Sequence, residues 1–219
     1  MKVSVIIPAF NEERTIGGVV KIAKNNPFVD EVIVVNDAST DRTPIIAKKS
    51  GAKVINFKEN KGKGWAYYEG VKASEGDIIV FLDGDLIGLK QNHITELIRP
   101  IIEGEVVTTC GIFEKGRFLT DFSHKITPFL SGQRALTREV WENFSYDPNV
   151  KYGFEIVLTE YFWSNRIKVK YVILEGVTQL MKEEKVGKQK GRRWRFKMYR
   201  DIAKSVIKIA VKKITGDED

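Results

Sequence analysis

The sequence predicts an α/β protein built on a mostly parallel sheet with helices on both faces. Three observations carry that expectation. Short apolar runs recur through residues 1–90, segments of helical period separate them, and each run ends in a cluster of polar residues. Strands that are apolar at nearly every position are buried on both faces, as parallel strands between two helical layers are.

Val3-Ser4-Val5-Ile6-Ile7 reads as the first buried strand, ended by Pro8, which has no N–H for a ladder. Residues 12–25 read as a helix, because Ile16, Val19, Val20 and Ala23 share one face. The β-branched run Val32–Val35 is the second strand, and Thr40 or Asp41 is placed to cap a helix over 43–50. Lys53–Phe57 is a third strand, 64–74 a helix, and Asp77–Leu82 a fourth strand. Beyond residue 90 the pattern loosens. Helices are expected near 93–103, 135–143 and 153–164, strands near 105–112 and 168–174, and a long helix at about 192–214. No internal repeat is present. Trp65, Trp141 and Trp163 are expected in or near the core, and Cys110 as a small buried hydrophobe.

Composition narrows the chemistry. With 42% hydrophobic and 30% charged residues in 219, a packed core is attainable and wholesale disorder is excluded. The single Cys110 excludes an intramolecular disulfide framework and a cysteine-cluster zinc site, and two histidines, His93 and His124, argue against a histidine-rich one. Asp and Glu oxygens remain as ligands for a hard cation. A reduced, cytoplasmic setting is expected. The apolar run Val5–Phe10 is too short to span a bilayer, and no start resembling a signal peptide is seen. Residues 1–181 balance at 23 charges of each sign, whereas 182–213 hold thirteen basic and three acidic residues. The expected organisation is therefore a neutral domain with a basic appendage.

In open parallel sheets, ligands bind beyond the carboxyl ends of the strands. Three of the expected strands deliver carboxylates there: Asn11-Glu12-Glu13, Asn36-Asp37 with Asp41, and Asp83-Gly84-Asp85. Any one of them could be a cap or turn; all three together point to a ligand edge. In Asp83-Gly84-Asp85, carboxylates on alternate residues can converge on Mg2+ or Mn2+ and leave positions for phosphate oxygens. Asp37 can only accept hydrogen bonds, which suits the N–H groups of uracil or guanine. In Asn60-Lys61-Gly62-Lys63-Gly64 the glycines allow close backbone approach, and Lys63 with a helix start favours an anion. There is no Gly-x-x-x-x-Gly-Lys-Ser/Thr loop, and no Gly-x-Gly-x-x-Gly after the first strand, so Walker-type ATPases and dinucleotide dehydrogenases are disfavoured.

Val5–Glu13, Val35–Asp41, Asn60–Gly64 and Phe81–Asp85, in that order, resemble family 2 glycosyltransferases of the GT-A fold. The likeness is greatest to dolichyl- or polyprenyl-phosphate sugar transferases and glucosyl-3-phosphoglycerate synthases. The resemblance implies a UDP- or GDP-sugar donor and a divalent cation. By position it implies that Pro8, Ala9, Glu12 and Asp37 hold base and ribose, that Lys63 lies near the nucleotide, and that Asp83 and Asp85 border metal and diphosphate. Ser131-Gly132-Gln133-Arg134 resembles the acceptor-side loop, and Tyr152-Gly153-Phe154-Glu155 the later acidic motif, with Glu155 as base or acceptor contact. Gln179 stands where relatives often carry a histidine ligand, which puts a third protein ligand in doubt. Arg117, Lys125 and Arg134 could grip a phosphate acceptor, or be ordinary solvated charges.

The expected division is a glycosyltransferase domain over 1–181, with a nucleotide-sugar half at 1–90 and an acceptor half at 91–181, followed by a basic helical extension at 182–219. The expected reaction moves a sugar from a nucleotide donor to an acceptor, with polyprenyl phosphate or another phosphate-bearing compound considered. A sugar-nucleotide nucleotidyltransferase is the competing enzyme. A non-catalytic membrane- or nucleic-acid-binding protein is the competitor without turnover. In the extension, Met198, Tyr199, Ile202, Val206, Ile207 and Ala210 recur at helical spacing between Arg200, Lys204, Lys208 and Lys212. This basic amphipathic helix could lie on a membrane surface, where each basic residue adds roughly 1 kcal/mol. It could equally pack on the domain or on a second copy in a homodimer. Nucleic acid is disfavoured because no matching motif accompanies the charge.

Overall fold

A computed structural model describes residues 1–114, 131–148 and 153–180 of the chain. Strands β1 (Val3–Ala9), β2 (Glu31–Asn36), β3 (Lys53–Asn56) and β4 (Ile78–Phe81) alternate with helices α1 (Ile16–Lys24), α2 (Thr43–Lys49) and α3 (Lys63–Lys72). Then follow β5 (Leu86–Ile87), α4 (Gln91–Ile102), β6 (Thr108–Glu114), β7 (Arg134–Thr137), α5 (Arg138–Asn143), α6 (Phe154–Ser164), β8 (Val169–Glu175) and β9 (Thr178–Gln179).

Seven strands form one sheet in the order β3-β2-β1-β4-β7-β6-β8, and β5 and β9 form a separate two-stranded ribbon. In the large sheet only β7 is reversed, running antiparallel to both β4 and β6. β1 to β4 are mutually parallel, as are β6 and β8. Because β7 is flanked on both sides by antiparallel partners, the other strands of the sheet all finish at one edge.

Alternate strand residues feed two cores. Val5, Ile7, Val34 and Val80 pack with Val19 and Val20 of α1, Ala47 of α2 and Leu97 and Ile98 of α4. Ile6, Ile33, Ile79 and Phe81 pack with Tyr67 and Val71 of α3, Val140 of α5 and Leu158 and Phe162 of α6. Burying each large apolar side chain contributes roughly 1.5–3 kcal/mol, so the continuous apolar runs follow directly from a sheet covered on both faces.

Several elements differ from expectation. Pro8 does not end β1, which continues through Ala9 alongside Asn36. Ile6 accepts from the N–H of Leu82, so Pro8, two residues on, also faces β4. The ladder to β4 stops at Ile6 opposite Phe81, and the missing N–H of Pro8 falls where that pairing has ended. The helix expected over 135–143 starts only at Arg138. Ala135 and Leu136, both fully buried, are strand residues between β4 and β6, and the Thr137 hydroxyl accepts from Val140 N–H to cap α5. Helix α1 starts at Ile16 rather than 12, after a turn in which Glu12 O accepts from Thr15 and Ile16. Asp41 accepts from Thr43 N–H at 2.9 Å at the start of α2. Trp163 is not a core residue: it lies near the end of α6 with 59% of its surface exposed. Cys110 is buried. The extension at 182–219, Arg117, Lys125, His124 and Tyr152 lie outside the described residues. Among the described residues no helix is long and apolar enough to cross a membrane.

Candidate functional site

At the carboxyl edge, the loops after β1 and β2 are stitched together. Asn11, in a left-handed conformation at φ 57°, donates its N–H to Ser39 Oγ, and its Oδ1 accepts from Thr40 N–H at 2.8 Å. Glu12 N–H donates to Thr43 Oγ1, and Glu13 pairs with Arg42 at 3.1 Å. Pro8, Ala9, Glu12 and Asp37 therefore share one rim, with Ala9 buried and Pro8 and Glu12 half-buried. Asp37 is 4% exposed. Its Oδ1 accepts from Lys61 N–H at 2.7 Å and its Oδ2 from Gly62 N–H at 2.9 Å. Gly62 reaches this geometry at φ 95°, where a side chain would be strained. The Lys61 ammonium lies between two rings, 5.4 Å from the Phe57 centroid and 5.3 Å from that of Trp65.

At the end of β4 an ion cluster forms. Lys63 Nζ stands 2.6 Å from Asp83 Oδ1 and 2.6 Å from Glu155 Oε1. Asp83 Oδ2 accepts from Gln133 Nε2 at 2.7 Å and from Gln179 Nε2 at 2.6 Å. Asp83 N–H donates back to Gln133 Oε1 at 2.9 Å. Burial alone would lower the lysine pKa, but Asp83 and Glu155 outweigh it and hold the Lys63 ammonium well above the ordinary range. Glu155 sits in the first turn of α6, where a carboxylate complements the helix dipole. Gly132 lies flat against the cluster: a Cβ there would fall 2.6 Å from Lys63 Nζ and 2.9 Å from Asp83 Oδ2.

Asp85 is half-buried, and its carbonyl accepts from Leu180 N–H, tying the end of the β5–β9 ribbon to the turn. Gly84 lets this turn close on β1, since a Cβ would stand 3.3 Å from Pro8 O. Among the described residues, no group of three His, Cys, Asp or Glu is assembled to hold a metal. One oxygen of Asp83, Oδ1, nevertheless already faces a cation, the Lys63 ammonium, and carboxylate oxygens are hard donors, which fit Mg2+ or Mn2+. A metal bound through Asp83 Oδ1 would compete there with the Lys63 ammonium.

Of the three acceptor-side residues, Gly132 and Gln133 touch the cluster and Arg134 turns inward. Its side chain is 1% exposed, with Nε donating to Ser131 O and Nη2 to Thr159 Oγ1, and the guanidinium lies 6.0 Å from the Phe162 ring. Of the two readings open for Arg134, a solvated charge or a grip on a phosphate acceptor, its burial fits neither: as a strand residue of β7 it points into the layer beneath α6. The residues not foreseen are Tyr67 and Tyr146. Both hydroxyls are buried without a hydrogen bond of regular geometry, that of Tyr67 near the Lys63 ammonium and that of Tyr146 resting on Gly64, 1.9 Å from where a Cβ would stand. The one available signal was that Tyr67 follows Lys63 by four residues, a spacing that places both on one helix face.

The sequence model of glycosyl transferase family 2 matches residues 4–168. The chain belongs to glycosyl transferase family 2. It is 39% identical over 109 residues to glucosyl-3-phosphoglycerate synthase of Mycolicibacterium smegmatis, covering 46% of this chain and 36% of that protein. It is 30% identical over 197 residues to the protein of the same name from Petrotoga mobilis, covering 71% of this chain and 59% of the relative. The chain thus spans from about a third to three-fifths of these relatives. A crystal structure of the Mycobacterium tuberculosis enzyme with Mn2+, UDP-glucose and phosphoglyceric acid superposes with a TM-score of 0.67 at 31% identity, covering 82% of this chain and 71% of that one. Another, with Mg2+ and UDP, gives 0.69 at 30% identity, with the same coverage.

Proposed function

We propose that this protein transfers a hexosyl unit, glucose being the first candidate, from a UDP-sugar to a small phosphate-bearing acceptor with the help of Mg2+ or Mn2+. The observation that carries this reading is the Asp83–Lys63–Glu155 ion cluster at the carboxyl edge of a family 2 fold. The related synthases, solved with UDP-glucose, phosphoglyceric acid and metal, favour UDP over GDP and a small acid over a polyprenyl phosphate.

The chemistry follows the charge. The bond between the sugar carbon and the diphosphate oxygen breaks with its electron pair on the diphosphate, and a bond to the acceptor oxygen forms. A cation held by Asp83 and Asp85 would neutralise the leaving group. Lys63 presents its ammonium beside the same position. Asp37, Pro8, Ala9 and Glu12 form the rim assigned to base and ribose, with Asp37 offering the lone pairs that Lys61 and Gly62 leave open. Gly132 and Gln133 face the acceptor side. Glu155 Oε1 is committed to Lys63, so a general-base role for an alcohol acceptor falls to its other oxygen. The catalytic unit is assigned to residues 1–181. The basic pattern of 192–214 supports a separate role for the extension, at a membrane surface or against another copy.

The test measures the thermal shift with UDP, GDP, ADP and CMP, each with and without Mn2+, and then transfer from UDP-glucose to 3-phosphoglycerate or polyprenyl phosphate. A metal-dependent shift with UDP and transfer to the small acid are expected. Undiminished transfer by Asp85→Ala would overturn the metal assignment.

A further inference from the structure

Tyr67 is among the largest fully buried side chains, at 0% exposure, and its hydroxyl makes no hydrogen bond of regular geometry, although the Lys63 ammonium already lies near it. Its ring is fixed by Phe81 at 4.5 Å and Phe154 at 4.6 Å between centroids. A phenylalanine would fill the same space without stranding a polar atom, and a stranded hydroxyl costs stability. Tyr67 shares the face of α3 with Lys63, whose ammonium lies 5.4 Å from the Tyr67 ring centroid. Burial raises the Tyr67 pKa well above its ordinary value, with Asp83 and Glu155 adding to it and the nearby Lys63 ammonium opposing it, so the group is a neutral hydroxyl able to accept a hydrogen bond.

On the donor-site reading above, a cation held at Asp83 would compete with the Lys63 ammonium for Oδ1 and shift the lysine off it. Glu155 keeps one of the three N–H donors of the Lys63 ammonium, which leaves another for a nearby acceptor on the half-buried side of the lysine. We propose that Tyr67 is a positioning residue whose hydroxyl receives the displaced Lys63 ammonium and holds it beside the donor diphosphate. The other stranded hydroxyl nearby, that of Tyr146, is packed on Gly64 and belongs to a different segment from Lys63.

Two effects of opposite sign follow for Tyr67→Phe. The ligand-free protein should melt about 2–4 °C higher, because the stranded hydroxyl is gone. UDP with Mn2+ should bind about 5–20-fold more weakly by calorimetry, because Lys63 loses its second seat. In a Lys63→Met background the effect of Tyr67→Phe on UDP–Mn2+ affinity should vanish, which a merely structural role would not produce. Affinity within twofold of wild type, or a lower ligand-free melting temperature, would overturn the proposal, as would an undiminished affinity loss in the Lys63→Met background. If wild type itself binds no UDP–Mn2+, the donor-site reading fails and this assignment with it; if wild type binds and Tyr67→Phe binds equally, only this assignment fails.

Discussion

Asp37 and Asp83 end β2 and β4, on either side of β1, and are held in opposite ways. Asp37 accepts two consecutive backbone N–H groups of one loop, those of Lys61 and Gly62. Asp83 accepts three side-chain donors from Lys63, Gln133 and Gln179, brought in by three separate segments. Backbone donors move only if the loop unwinds, whereas an ammonium and two amides move by side-chain rotation. One carboxylate is a fixed fitting, suited to recognising a rigid base. The other is adjustable, suited to exchanging partners while charge develops.

The contrast can be broken most severely at Gly132. Gly132→Ala presses a methyl against both Lys63 and Asp83, and transfer should fall by about 10²-fold, since misplacing catalytic groups by an ångström is that costly. Melting should change little, so activity and stability measured together would separate the two. Asp83→Asn should lower kcat, whereas Asp37→Asn should mainly raise the donor KM and cost about 1–3 kcal/mol of stability through its backbone partners. Equal effects of the two substitutions on kcat would erase the distinction. Arg134→Met leaves Ser131 O and Thr159 without a buried donor, and denaturant unfolding should show a loss of about 2–4 kcal/mol.

Smaller again is a pH effect far from the site. His93 Nδ1 accepts from Lys90 N–H at the start of α4, and burial lowers the pKa of the ring from its ordinary value, against a partial counter-effect from Glu96. The unfolded chain therefore binds a proton more readily than the folded one. The contribution of His93 is full above its unfolded pKa near 6.5 and is lost as pH falls toward the folded value. Stability of wild type measured against His93→Gln from pH 7.5 to 5 should show wild type alone losing this increment. The smallest effect is expected at Trp163→Ser, within about 0.5 kcal/mol, because that side chain is mostly in solvent.

The same contrast explains what could be read from the sequence. Asp37, Asp83 and Asp85 were legible because each follows an apolar strand and strand ends mark the ligand edge. The loop of Lys61 and Gly62 was legible as a glycine-rich helix start. Its grip on Asp37 was not, because it crosses from the end of β3 to the end of β2. The set around Asp83 was hidden for the same reason: Gln133 is 50 residues away and Gln179 is 96. Tyr67 looked like any aromatic residue on a core-facing helix. The strand at Arg134–Thr137 was missed because four residues are too few to establish a period, and the adjoining helix extended the helical pattern over Ala135 and Leu136. The two-residue strands β5 and β9 leave no periodic signal at all.

The reversed strand β7 has a consequence for how such a protein can diversify. β6 arrives at the carboxyl edge and β7 departs from it, so Ser131, Gly132 and Gln133, just before β7, stand at that edge beside Asp83. Substitutions at Ser131 or Gln133 need not disturb the socket of Asp37 several strands away. A scaffold wired in this way can vary what stands beside Asp83 while the loops that fix Asp37 are inherited unchanged.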